Sequence, residues 1–201
     1  VMAAFTSYRM GRFDEAIAAS RRFVNLYPTH EDAAYAQYII GLSYFNQMPE
    51  VTRDQRDTQL AIQNFNRLLE SYPGSIYEED AKAKIRAARD QLAGKEMQVG
   101  RYYLERREFA AALPRFRLVV EEYGNTRHVE EALARLTETY FAMGLASEAQ
   151  TAAAILGHNF KSTEWYEDSY KLLTGQGLTL EAVGDSWLNQ VYRQTILGRW
   201  L

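Results

Sequence analysis

The chain is 201 residues long, 47% hydrophobic and 24% charged, with a formal net charge of −3, four prolines and no cysteine. That composition describes a folded, helix-rich chain, one domain or one short solenoid, large enough to bury a core without covalent staples. It excludes disulfides, thiolate zinc sites and thiol catalysis, and without a continuous basic stripe it argues against nucleic acid as a partner.

No apolar run approaches the roughly 18–20 residues that span a bilayer, and no signal peptide is present. The chain opens at Val1 inside a helical pattern without a cap. A longer N-terminus, with any targeting or lipid signal, is therefore expected.

A helix–turn–helix repeat of about 34 residues laid over the sequence falls into four registers. In the first, Gly11 occupies the turn of RMGRFDEA, Phe13, Ala16 and Phe23 line the second helix, and Pro28 closes the unit. Its first helix is cut short, with only Val1 to Met10 remaining. In the second, Gly41 and Tyr44 lie on the first helix, Ala61, Phe65 and Leu68 on the second, and Pro73 closes. This unit is about eight residues longer than the repeat allows. The surplus, Gln47 to Thr58, is polar and charged and reads as an exposed loop available to partners.

The third register is the clearest, in YYLERREFAAALPRFRLVVEEYGNT, from Tyr102 to Thr126. Gly100 and Tyr103 precede a charged turn, and Ala112, Phe116 and Val119 follow on one helical face. Ala112 admits a close neighbour and Phe116 fills the space. An unbroken helix from about Tyr77 to Arg106 leads in, started by a capping box between Ser75 and Glu78. Gly94 and Gly100 offer points of bending, and Pro114 predicts a local kink. The fourth register carries Leu133, Leu136 and Tyr140, a turn at Gly144, then Ala149, Ala153 and Leu156. A capping helix from Thr163 to Leu173 then buries Trp165, Tyr166, Tyr170 and Leu173.

The expected fold is all-α: a right-handed tetratricopeptide solenoid over residues 1–173, a linker over 174–184 and an amphipathic helix over 185–201. Asp185 is a candidate N-cap for that last helix, which the Gly-containing joint leaves free to sit apart. Trp187, Tyr192 and Trp200 are its candidate anchors for a protein groove. Its polar face, with Asn189, Gln190, Arg193 and Arg199, is too weakly basic for strong attraction to lipid.

Three stretches carry a family resemblance: NLYPTHEDAAYAQYIIGLSYF, DQRDTQLAIQNFNRLLESYPGSIYEEDA and GRYYLERREFAAALPRFRLVVEEYGNT. In order and spacing they resemble the BamD (ComL-type) family, tetratricopeptide lipoproteins of the outer-membrane β-barrel assembly machine, over residues 1–172. The family usually begins with a lipidated Cys and one more repeat, both missing here, and the segment after Thr174 goes beyond its compact form. The resemblance implies a lipid-anchored protein on the periplasmic face of the outer membrane. Such a protein docks on the periplasmic domains of BamA and engages unfolded outer-membrane proteins and other lipoproteins of the complex. Any contact with the membrane would be through the missing N-terminal lipid alone. A gapless match through YYxER aligns the family's BamA-pairing arginine with Arg115, and Arg107 and Glu108 of the same turn join it as candidates. The earlier repeats correspond to the side proposed for substrate segments.

Each candidate has a plainer alternative. Arg115 is otherwise a solvated surface charge. Arg53, Asp54, Arg56 and Asp57 form either a contact loop or a self-paired one. Tyr8, Tyr44, Tyr102 and Tyr103 read as core before peptide clamp. His30, His128 and His158 lie far apart, with no second His at helical spacing. No catalytic triad, phosphate loop or carboxylate pair points to an enzyme, and no cofactor is implied. The rival reading is a generic tetratricopeptide adaptor of another cell-envelope or chaperone-linked complex.

Overall fold

In the computed structural model, residues 1–181, 187, 188, 190 and 191 are described. They form nine helices: α1 (Met2–Arg9), α2 (Phe13–Leu26), α3 (Ala33–Asn46), α4 (Arg56–Ser71), α5 (Glu78–Glu105), α6 (Phe109–Glu122), α7 (Val129–Ala142), α8 (Ala146–Asn159) and α9 (Glu164–Thr174). Packing follows chain order, α1 on α2, α2 on α3 and α3 on α4, then α6 on α7, α7 on α8 and both on α9. This is the consecutive pairing of a tetratricopeptide-like array. The chain divides into two compact units, Val1–Leu92 and the chain from Ala93 onward, with α5 contributing to each.

Two kinds of corner build the array, and each recurs with the same backbone bonds. Within hairpins, the turns after α1, α5 and α7 place Gly11, Arg107 and Gly144 at positive φ, +73°, +59° and +76°. The next residue's amide reaches back five residues, Arg12 to Ser7, Glu108 to Tyr103 and Leu145 to Tyr140, each at 2.9 Å. This is the Schellman closure of a helix C-terminus. Between hairpins, an aromatic residue ends the helix at Tyr27, Tyr72, Tyr123 and Phe160. Its carbonyl then accepts from the amide three residues on, at His30, Ser75, Thr126 and Thr163. The YPTH, YPGS, YGNT and FKST steps are thus one turn written four ways.

Small-to-large packing sets how near the helices come. A β-carbon on Gly41 would meet the Phe65 ring at 2.6 Å, and one on Gly100 would meet Phe116 at 2.5 Å. Both phenylalanines are fully buried. The first unit's core gathers Ala61, Phe65, Leu68 and Ala81. The second gathers a larger cluster that includes Met97, Phe116, Leu133, Leu136, Ile155, Leu156 and Leu173.

Several local expectations are corrected. Gly100, more than Ala112, is the small residue that receives Phe116. The capping box expected at α5 is not made: the Glu78 carboxylate accepts from the Gly74 amide at 2.8 Å, one residue before Ser75, and the Ser75 hydroxyl has no partner among the described residues. On α9, Ser169 and Leu173 are buried and Trp165 and Tyr166 pack half-buried against the core, but Tyr170 is exposed. Tyr102 is also exposed, at 55%, whereas Tyr8, Tyr44 and Tyr103 are half-buried. Pro114 lies inside α6, where a local kink remains the expectation.

Candidate functional site

The α6 face is built from a helix that starts directly after the Arg107 corner, with Glu108 as its N-cap. Phe116, Val119 and Val120 turn inward and hold it. An open groove of about 580 Å³ is left beside it, lined by Tyr103, Pro114, Arg115, Arg117, Leu118 and Glu121 among others. Arg115 donates from Nη1 to the Glu96 carboxylate of α5 at 3.0 Å, with its side chain 43% exposed and that of Glu96 19% exposed. One edge of the guanidinium is therefore oriented by its own chain, while Nε and Nη2 stand clear of that bond. A planar cation held in this way is suited to a second carboxylate.

The other two residues singled out on this turn behave differently. Arg107 is exposed and makes no ion pair among the described residues. Glu108 is held by Arg106, Nε to Oε1 at 2.8 Å, and that guanidinium also lies 5.3 Å from the Tyr102 ring centre.

In the first unit, the surplus segment is a loop from Gln47 to Gln55 followed by the first turn of α4. It is less open than its composition implies, because Gln55 and Thr58 are buried. The Gln55 amide donates to the Glu50 and Arg53 carbonyls at 2.9 and 3.1 Å. From α5, Gln91 donates to the Pro49 carbonyl at 2.6 Å and to Gln55 Oε1 at 2.8 Å. On this braced loop Arg53, Asp54 and Arg56 are exposed and Asp57 is half-buried. Their side chains form no ion pair among the described residues. Gln91 and Glu96 were invisible to motif reading, each being a single polar residue on a long helix, far in sequence from what it holds.

A polar cleft in the same unit is lined by Asn25, Gln37, Arg67, Ser71 and Tyr72 with Val24 and Pro28. Arg21 and Asn64 continue it. Gln37 is buried and donates to the Asn64 carbonyl at 3.0 Å.

After α9 several described positions rest on the second unit's core. Leu178 and Leu180 pack on the core, and Gln150 donates to the Thr179 carbonyl at 2.9 Å. Leu188 is fully buried and Val191 nearly so. Trp187 donates from Nε1 to the Tyr140 hydroxyl at 3.1 Å, and the Arg117 guanidinium lies 4.4 Å from its ring centre. Tyr192, Trp200 and the Asp185 cap lie outside the described residues.

Among the described residues no group of three His, Asp or Glu is placed to hold a metal ion. No described helix is long and apolar enough to cross a membrane.

Comparison with known proteins places this geometry. The family described as "YfiO: Outer membrane lipoprotein" matches residues 1–155. An outer membrane protein assembly factor BamD of Caulobacter vibrioides is 42% identical over 178 residues, covering 89% of this chain and 58% of that protein. The BamD of Rickettsia prowazekii is 37% identical over 173 residues, covering 86% of this chain and 69% of that protein. That of Neisseria meningitidis serogroup A is 33% identical over 178 residues, covering 84% and 67%. The chain thus spans less than two thirds of the Caulobacter protein and about two thirds of the other two. A match over most of the chain, together with helices that pair in sequence as the repeat requires, makes it a member of the YfiO family of outer membrane lipoproteins.

Proposed function

We propose that the chain is a non-catalytic scaffold subunit of the outer-membrane β-barrel assembly machinery. It works at the periplasmic face of the outer membrane, binds the periplasmic domains of BamA, and assists folding and insertion of outer-membrane proteins. The observation that carries this reading is Arg115, oriented by Glu96 at 3.0 Å on the rim of an open groove. A guanidinium with one edge engaged at home and another free supports docking of a carboxylate-bearing domain. Arg107 on the adjoining corner, without an ion pair among the described residues, adds a second cation for the same partner.

The first unit supports the remaining roles. Its braced loop offers Arg53, Asp54, Arg56 and Asp57 to other lipoproteins of the complex. Its cleft of Asn, Gln and Arg side chains offers donors and acceptors to the peptide groups of an extended, unfolded segment.

Pull-down of the BamA periplasmic domains on the purified chain tests the reading. Arg115→Glu is expected to abolish capture while leaving helicity intact. Unchanged capture at full helicity would remove Arg115 from the interface and return the chain to the wider class of repeat adaptors.

A further inference from the structure

A second ordered side-chain cluster, apart from the Arg115–Glu96 pair, gathers at Trp187. Trp187 reaches back from that segment to two helices at once. Its indole N–H donates to the Tyr140 hydroxyl on α7 at 3.1 Å, and its ring lies 4.4 Å from the Arg117 guanidinium on α6. Arg117 in turn donates from Nε to Glu121 at 2.8 Å, one turn along the same helix. Arg117, Glu121 and Arg115 all line the same groove.

An arginine on a helix surface ordinarily samples many rotamers, and fixing it costs side-chain entropy when a partner binds. Here that freedom is already removed. Below the guanidinium is an aromatic face, which attracts it electrostatically. That face is itself fixed at its edge by the tyrosine and through the backbone by Leu188 and Val191, which are buried in the core. Gln150 and Thr179 hold the approach to it at 2.9 Å. The segment therefore acts on the groove from behind, without lining it.

We propose that Trp187 is a positioning residue for the α6 docking face, fixing the Arg117 guanidinium so that the groove lined by Arg115 and Arg117 meets an acidic partner with two ordered cations. The proposal rests on the docking reading of Arg115 given above. It makes the segment after α9 part of the interface machinery by preorganisation, through a residue that touches no partner.

A binding cycle tests it, with the BamA periplasmic domains titrated against the whole chain. Trp187→Leu is expected to weaken affinity by about tenfold, and Tyr140→Phe, which removes only the acceptor, by a smaller factor. Arg117→Gln is expected to weaken it comparably, and in that background Trp187→Leu should cost nothing further. Trp187→Phe, which keeps an aromatic face below the cation, should recover most of the loss. An equal loss from Trp187→Leu with and without Arg117 would overturn the proposal, as would no loss while Arg115→Glu still abolishes binding. Should Trp187→Leu lose helicity, the same cycle run with Tyr140→Phe decides, and additivity with Arg117→Gln again overturns it. If Arg115→Glu itself has no effect, the docking reading falls and this inference falls with it.

Discussion

Phe116 occupies the space that a side chain on Gly100 would need, its ring edge 2.5 Å from where a β-carbon would stand. Gly41 and Phe65 repeat the relationship in the first unit at 2.6 Å. The two pairs are 16 and 24 residues apart, so the braced loop adds its length without changing the contact that sets helix separation.

Gly100→Ala is accordingly expected to destabilise the chain by about 1–3 kcal/mol, since the ring is buried and has nowhere to retreat. Thermal melts followed by circular dichroism should show a drop of several degrees, partly restored by adding Phe116→Leu. An unchanged melting temperature would mean that the helices separate freely here.

Gln91→Ala should loosen the loop from Gln47 to Gln55 specifically. It removes bonds of 2.6 and 2.8 Å and takes the Gln91 donor from the Pro49 carbonyl, while Gln55 Oε1 keeps the Thr58 hydroxyl at 2.8 Å, at a cost of about 1–3 kcal/mol. Hydrogen exchange should accelerate at the Arg53 amide, which is bonded to the Glu50 carbonyl, while α7 and α8 keep their protection. Uniform acceleration across the chain would contradict local bracing.

Arg115→Lys is expected to keep the charge and lose the function. Because the Arg115–Glu96 pair is partly exposed, its contribution to stability should be under about 1 kcal/mol, so melting barely moves. Affinity for the BamA periplasmic domains should fall about tenfold, because an ammonium cannot face two carboxylates as a fork does. Wild-type affinity in the lysine variant would reduce Arg115 to a point charge.

Alkaline pH should unfold the chain through its tyrosines. Burial first, then the bond to Asp80, pushes the Tyr38 hydroxyl above its ordinary value of 10.0, and burial also raises Tyr35 and Tyr77, which stack on one another at 5.4 Å. A folded-state value above the unfolded one means a contribution fully present below about pH 10 and lost as pH rises towards the folded value. Melting temperature should hold between pH 7 and 9 and fall beyond 10, less steeply in Tyr38→Phe. Identical slopes in both proteins would exclude Tyr38 as the cause.

The hairpins themselves were legible in the sequence because each is specified locally. Gly11 and Gly144 mark tight corners, the aromatic steps at Tyr27, Tyr72 and Tyr123 mark wide ones, and Ala112–Phe116–Val119 marks an inward face. Facing errors arose where two stripes compete on one helix. On α9 a wheel through Tyr166 and Tyr170 looks as apolar as one through Trp165, Ser169 and Leu173. Packing elsewhere decides: Gly157 receives the Tyr166 ring, Ser169 and Leu173 are buried, and Tyr170 is left exposed. The candidate site was half legible for the same reason. Arg115 stands in a recognisable motif, but Glu96, 19 residues earlier, and Tyr140, 47 residues before Trp187, become neighbours only through packing.

The corner after α5 departs from its two counterparts in one respect, having Arg107 at a φ of +59° where they have glycine. An L-residue held in that region carries a penalty of roughly 1–2 kcal/mol. Arg107→Gly would therefore make a sturdier protein with one cation fewer at this exposed bend. Tension of this sort, sitting beside a docking groove, makes the bend the natural place for an engineer to trade robustness against grip.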